Sequence, residues 1–183
     1  MNPTSQEPTI AAIATPPGAG GIGVVRISGS ASLEVLRRLF IPKRPHTGLP
    51  SHQMRYGWLV HPESGQPIDE VLAVYMQAPH SYTREDVVEI HSHGSYLILE
   101  RILAAILAVG PRLAEPGEFT KRAFLNGRLD LTQAEAVLEL LQARTNKSLS
   151  LALNQLQGVL HERVEAIRQG LLAVRAIIEV AID

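Results

Sequence analysis

The sequence of 183 residues contains no cysteine, which excludes a disulfide framework, a thiolate metal site and a cysteine nucleophile. It has no excess of either charge. Seventeen Lys and Arg stand against 18 Asp and Glu, a formal net charge of -1, so no global polybasic field recruits nucleic acid, and any such contact must come from a local basic groove. No uninterrupted apolar stretch reaches the ~18 residues needed to span a bilayer. No basic-plus-apolar leader opens the chain, and with the missing cysteines this predicts a cytoplasmic protein. The pair Gly-Lys occurs nowhere, so the Lys-Ser/Thr end of a P-loop is missing, and with it the usual GTP or ATP phosphate cradle. What remains is 45% hydrophobic and 19% charged, the balance of a globular protein long enough for one ordinary domain plus an appendage.

Residues 115–136, EPGEFTKRAFLNGRLDLTQAEA, divide two regimes. Before them, short apolar runs alternate with Gly and Pro punctuation; after them only helical periodicity remains. Pro116 biases Glu115 away from helix, and a short helix is predicted over Phe119 to Leu125. Asn126-Gly127 suits a left-handed cap there. Asp130 or Thr132 then caps a new helix through Gln133 or Glu135. Lys121, Arg122 and Arg128 give the stretch positive charge to offer a ligand.

In chain order, residues 1–8 read as a loose arm, Ile10 to Ala14 as a buried strand and Thr15 to Gly21 as a loop. Gly23 to Ser28 is a second strand, with Val25 and Ile27 on one face and Val24, Arg26 and Ser28 on the other. Ser30 is placed to cap a helix from Ala31 to Phe40, followed by a loop to Ser51. Met54 to His61 and Asp69 to Gln77 flank a Gly/Pro turn and read as a β-hairpin. Asp86 to His91 is a strand, Tyr96 to Val109 a helix and Arg112 to Ala114 a last short strand. The first ~115 residues thus predict an α+β fold, a mixed sheet with two helices on it. Thr132 to Ala143 forms one helix. From Asn146 to Asp183 apolar residues at steps of three and four predict a single long amphipathic helix, interrupted by Gly158 and Gly170. Its apolar stripe asks for partner helices. It reaches Asp183 without a Gly or Pro stop, which predicts that the helical part continues.

Several side chains are candidates for chemistry. The TPPGAGGIG loop (residues 15–23) lets backbone approach a ligand or a second subunit, but it runs into a strand where a phosphate-binding loop runs into a helix. His91 and His93 share one strand face as a possible metal pair, yet no third ligand is evident, so no metal site is predicted. Glu85, Asp86 and Glu89 offer carboxylates for acid/base work; Glu89 stands out by alternating with His91. Arg26 is either an edge-strand arginine reaching solvent or a fixed guanidinium for a carboxylate or phosphate.

Four blocks occur in order: TIAAIATPPGAGGIGVVRISG, SYTREDVVEIHSHG, PGEFTKRAFLNGRLDLTQAEA, and the helical LNQLQGVL with a final VAID. From about Thr9 to Asp183 the chain resembles the MnmE (TrmE) family of tRNA-modifying GTPases. The resemblance implies that residues 1–118 form a tetrahydrofolate-binding and dimerisation domain, similar in fold to the folate-binding domain of aminomethyltransferases. It implies that residues 119–183 begin a helical domain, cut before the GTPase domain that uses Mg2+ and K+. The family's folate-binding positions fall on Arg26, Glu89 and Arg128, the last a Lys in some members. The ligand that the resemblance implies is a 5-formyl or methylene tetrahydrofolate, the expected one-carbon donor for an aminomethyl-type modification of wobble uridine in tRNA, made together with the flavoprotein MnmG (GidA). No membrane partner is expected. Two rivals remain: a free-standing folate-dependent aminomethyl transferase, and a dimerisation module that binds no folate.

Overall fold

In a computed structural model, residues 7–44 and 48–182 are described. Most of the arm expected over 1–8, part of the loop expected over 42–51, and Asp183 lie outside these. The chain divides into two compact units, Met1–Arg122 and Ala123–Asp183.

The first unit is built on a mixed sheet of seven strands, β1 Ile10–Ile13, β2 Gly20–Ser28, β3 Phe40–Pro42, β4 Arg55–Val60, β5 Pro67–Met76, β6 Val87–Gly94 and β7 Arg112–Leu113, in the order β3-β4-β5-β6-β2-β1-β7. All neighbours are antiparallel except β1 and β7. Two helices, α1 Ser32–Leu39 and α2 Tyr96–Ala108, contribute to the core. The fold is therefore the expected α+β one. Strand alternation decides the layering: Val25, Ile27, Val71, Ala73, Val88 and Ile90 point into a core shared with Leu36, Leu39, Ile102 and Ile106. Gly23 lets α2 pack this closely, since a Cβ there would meet Leu99 Cδ1 at 2.6 Å. A Cβ on Gly94 would strike the Gly20 carbonyl oxygen. At these positions the close approach that the glycine-rich segment permits is between parts of this domain.

Three local expectations change. Phe40 leaves the helix and opens β3, pairing with Leu59. Ser30 does not cap α1; Ser32 Oγ donates to Gly29 O at 2.7 Å, and Thr9 Oγ accepts from Ala31 N–H at 3.0 Å. Arg26 is not on an edge, because β2 lies between β6 and β1.

Arg122 is not available to a ligand. Its side chain is 1% exposed and donates to Glu118, to both carboxylate oxygens of Glu85 and to the Pro8 carbonyl. Glu118 is also held by both terminal nitrogens of Arg112 and by the Glu115 N–H. Hydrogen bonding from Arg112 is the main reason its carboxyl falls from 4.5 to about 2. A folded value below the unfolded one contributes stability that is complete above pH 4.5 and lost as pH falls towards 2. The urea midpoint should therefore drop through this window, and more shallowly in Glu118→Gln. Equal acid slopes in parent and variant would contradict the assignment.

Helix α3, Glu118–Leu125, is followed by Gly127 at φ +70°. In the second unit α4 Leu131–Gln142 starts at Asp130, whose carboxylate accepts from Gln133 N–H while Gln133 returns a bond to the Asp130 N–H. That is the predicted capping box. The single long helix is corrected to two, α5 Asn146–Leu156 and α6 Val159–Ile182, parted at Gly158 with φ +88°. A left-handed residue cannot continue a right-handed helix. Gly170 stays inside α6. Val164, Ile167, Leu171, Val174 and Ile178 on α6 are 52 to 66% exposed. Among the described residues no helix is long and apolar enough to cross a membrane.

Candidate functional site

The register of β2 against β6 sets Arg26 directly opposite Glu89, on the face away from the core. Neither residue is predicted to meet the other by anything local, since 63 positions separate them. The guanidinium grips one carboxylate oxygen twice, Nε to Oε1 at 2.8 Å and Nη2 to Oε1 at 2.7 Å. The side chains are 28% and 20% exposed, so the pair is shielded yet reachable. The rings of Tyr82 and Phe119 each lie 5.6 Å from the guanidinium carbon, within the range of cation–π attraction. Tyr82 is tied to α3 by a 2.9 Å bond between its hydroxyl and that of Thr120. Arg26 is thus a fixed guanidinium held on three sides.

Glu89 Oε2 is left on the other side of the carboxylate, 3.4 Å from His91 Nε2. That nitrogen is buried and makes no hydrogen bond. His93, two residues on, is occupied differently. Its backbone N–H donates to Asp69 Oδ2 at 2.9 Å and its Nδ1 lies 2.8 Å from Oδ1. The Asp69 hydrogen bond raises the His93 pKa. Among the described residues, no three His, Cys, Asp or Glu side chains are placed to hold a metal ion.

The other carboxylates do not join Glu89. Glu85 is taken by Arg122 and by the Ser28 hydroxyl at 2.7 Å. Asp86 accepts from the Tyr75 hydroxyl and the Ala78 N–H, both at 2.9 Å; burial first, then this bond, pushes Tyr75 up to about 12. The acid/base grouping of residues 85, 86 and 89 is therefore not formed. Arg128 belongs to the second unit, where its N–H donates to Ala123 O at 2.9 Å. A cavity of about 450 Å3 between the β4–β5 turn and α2, lined by His61, Gln66, Arg101 and Ala105 among others, includes neither Arg26 nor Glu89. Their pair stands on an open sheet face. Sequence reasoning singled out Arg26 and Glu89 but missed Tyr82 and Phe119, whose part depends on the loop before β6 and the first turn of α3 meeting over β2.

The chain is thus of the class that joins an α+β sheet domain, here with a guanidinium–carboxylate pair on its open face, to a following helical unit. The chain belongs to the MnmE (TrmE) family of tRNA modification GTPases: residues 9–128 match the family of the GTP-binding protein TrmE N-terminus, and residues 131–183 match the MnmE helical domain. It is 55% identical over 175 residues to the tRNA modification GTPase MnmE of Desulfotalea psychrophila, covering 96% of this chain and 37% of that protein. It is 53% identical over 179 residues to that of Carboxydothermus hydrogenoformans, covering 97% and 39%. To that of Lactiplantibacillus plantarum it is 52% identical over 183 residues, covering 100% and 39%. The chain thus spans less than two fifths of the length of these relatives.

Proposed function

We propose that the chain binds a 5-formyl or methylene tetrahydrofolate, with residues 1–118 as the folate-binding domain that carries Glu89 and Arg26, that Arg128 adds a further contact, and that residues 119–183 are the first part of a helical domain. The observation that carries this reading is the half-buried Glu89 carboxylate, with one oxygen anchored by Arg26 and the other near His91 but not hydrogen-bonded to it. A pterin presents a ring N–H beside an amino group, two parallel donors that such a carboxylate accepts together. Arg26, already on Glu89 Oε1, acts by holding the carboxylate; Arg128 supplies charge for the anionic glutamate tail. The bound folate would supply the one-carbon unit for aminomethyl-type modification of wobble uridine in tRNA, in a cytoplasmic complex with MnmG. GTP hydrolysis, with Mg2+ and K+, would be the work of a GTPase domain that these residues do not include. Without a Gly-Lys pair, this chain should show no saturable GTP turnover, and measurable turnover by the purified chain would overturn that expectation.

Calorimetric titration with 5-formyl-tetrahydrofolate tests the central claim: saturable binding near one equivalent per chain is expected, and no heat with a folded sample sinks it. A free-standing aminomethyl transferase would bind folate as well but have no GTPase domain encoded after Asp183.

We also propose that the open face is where two copies meet. Ile22, Ile41, Tyr56, Trp58 and Leu72 lie on it, each 40 to 66% exposed, an apolar patch of the kind that marks an interface. Light scattering at tens of micromolar should give a dimer, and Trp58→Glu with Leu72→Glu a monomer. A monomeric parent would refute the proposal. A dimer without folate binding would favour the plain dimerisation module.

A further inference from the structure

Resting on the folate reading of Glu89, we propose that His91 is a positioning residue for that carboxylate, its Nε2–H acting as a donor on Oε2. The sheet fixes the relationship. Glu89 and His91 are alternate residues of β6 and share a face, with Val24 opposite His91 on β2 and Leu72 opposite it on β5. Those neighbours are apolar and offer the ring nothing polar. The charged groups near it are Glu89 and Arg26 on one side, and Glu70 and the Asp69–His93 pair further along. Of these, Glu89 Oε2 is recorded within reach of His91 Nε2, at 3.4 Å.

The nitrogen is nevertheless buried without a hydrogen bond, and an unsatisfied buried donor is costly enough to need an explanation. A carboxylate oxygen can only accept, so the contact is attractive only with the proton on Nε2. Arg26 pins Oε1 with two nitrogens and is itself clasped by Tyr82 and Phe119. That leaves a pivot of the carboxylate about Oε1, through the torsions of the Glu89 side chain, as the freedom to be fixed. A small turn brings Oε2 onto His91 and sets the carboxylate plane. Oε2 has two lone-pair directions, one for the imidazole and one for a ligand donor. In this arrangement Arg26 and His91 hold opposite oxygens, one lone-pair direction of Oε2 faces a ligand donor, and a second ligand donor would share Oε1 with Arg26.

The experiment uses the parent chain, His91→Leu and His91→Gln, each titrated with 5-formyl-tetrahydrofolate. It also follows the His91 ring nitrogens by NMR in the parent and in Glu89→Gln, with no ligand. His91→Leu should bind about tenfold more weakly, the loss of one modest charge-assisted hydrogen bond. His91→Gln, which restores an N–H donor of similar reach, should stay within about threefold. The ring should be protonated on Nε2, and its signals should move in Glu89→Gln. Equal affinity in the parent and His91→Leu overturns the inference while leaving the folate reading intact, and so does equal loss in both variants. If the parent binds no folate, the folate reading fails and the ligand-positioning role falls with it. Ring signals indifferent to Glu89→Gln would show that the two side chains do not interact, whatever binds.

Discussion

Glu89→Ala is expected to weaken reduced-folate binding at least tenfold, with the protein still folded. Hydrogen bonds to charged groups contribute about 1.5–3 kcal/mol each, and a tenfold change in affinity corresponds to ~1.4 kcal/mol. Losing either of two ligand donors' contacts is therefore enough. Glu89→Gln keeps the shape but turns one acceptor into a donor facing a donor, so it should be nearly as harmful. The fold should survive, because the Arg26 side chain left behind is 28% exposed and water can reach it, and no apolar core group is removed. Arg26→Ala should weaken binding indirectly, by freeing the carboxylate. Arg128→Lys should be mild because it keeps the charge. Calorimetry on folded samples decides: unaltered affinity in both Glu89 variants would remove the central residue from the proposed site.

Arg122→Met should destabilise the first unit by about 3 kcal/mol or more, the range for breaking a buried charge pair. The methionine replaces the stem but none of the donors. Glu118 would retain Arg112, which already engages both its oxygens. Glu85 would keep the Ser28 hydroxyl but lose its recorded charged partner, and the Pro8 carbonyl would lose the 2.8 Å bond from Nη2. Arg122→Lys retains charge without the planar fork, so it cannot serve Glu118, Glu85 and Pro8 together and should fall between. Urea unfolding measures this, and a change under about 1 kcal/mol in Arg122→Met would show that the network is dispensable.

Much of the architecture was legible because period and punctuation agree. The hairpin of β4 and β5, the strands around Val25 and Ile90, helix α2 and the Asp130 capping box all follow from local pattern. Where signals conflict, the reading slipped. Phe40 continues the helical spacing of Leu33, Leu36 and Leu39, so the first residue of β3 reads as the end of α1. Gly158 was weighed as a mid-helix cost of about 1 kcal/mol, whereas its left-handed conformation ends α5. Arg122 looked like surface charge because nothing local reveals that Glu85, 37 residues earlier, lies against it. Alternation put Arg26 on the polar face of its strand and placed Glu89 beside His91 in pattern. Their meeting with each other, with Tyr82 and with Phe119 depends on register and loop closure, which a one-dimensional pattern does not encode.

The direct pairing of Arg26 with Glu89 across two central strands makes the binding pair also a key to strand alignment. Sliding β6 by one residue along β2 would set Arg26 opposite an apolar neighbour, Val88 or Ile90, and send one strand's core residues to the open face. A shift by two would keep the faces but set the guanidinium opposite Val87 or His91. The misaligned sheets would each strand a charge, so the residues proposed to receive the ligand also help select the sheet on which it is received. Substitutions at either position should therefore be judged by strand register as well as affinity, and a double exchange, Arg26→Glu with Glu89→Arg, would separate the two roles by preserving the key while inverting the lock.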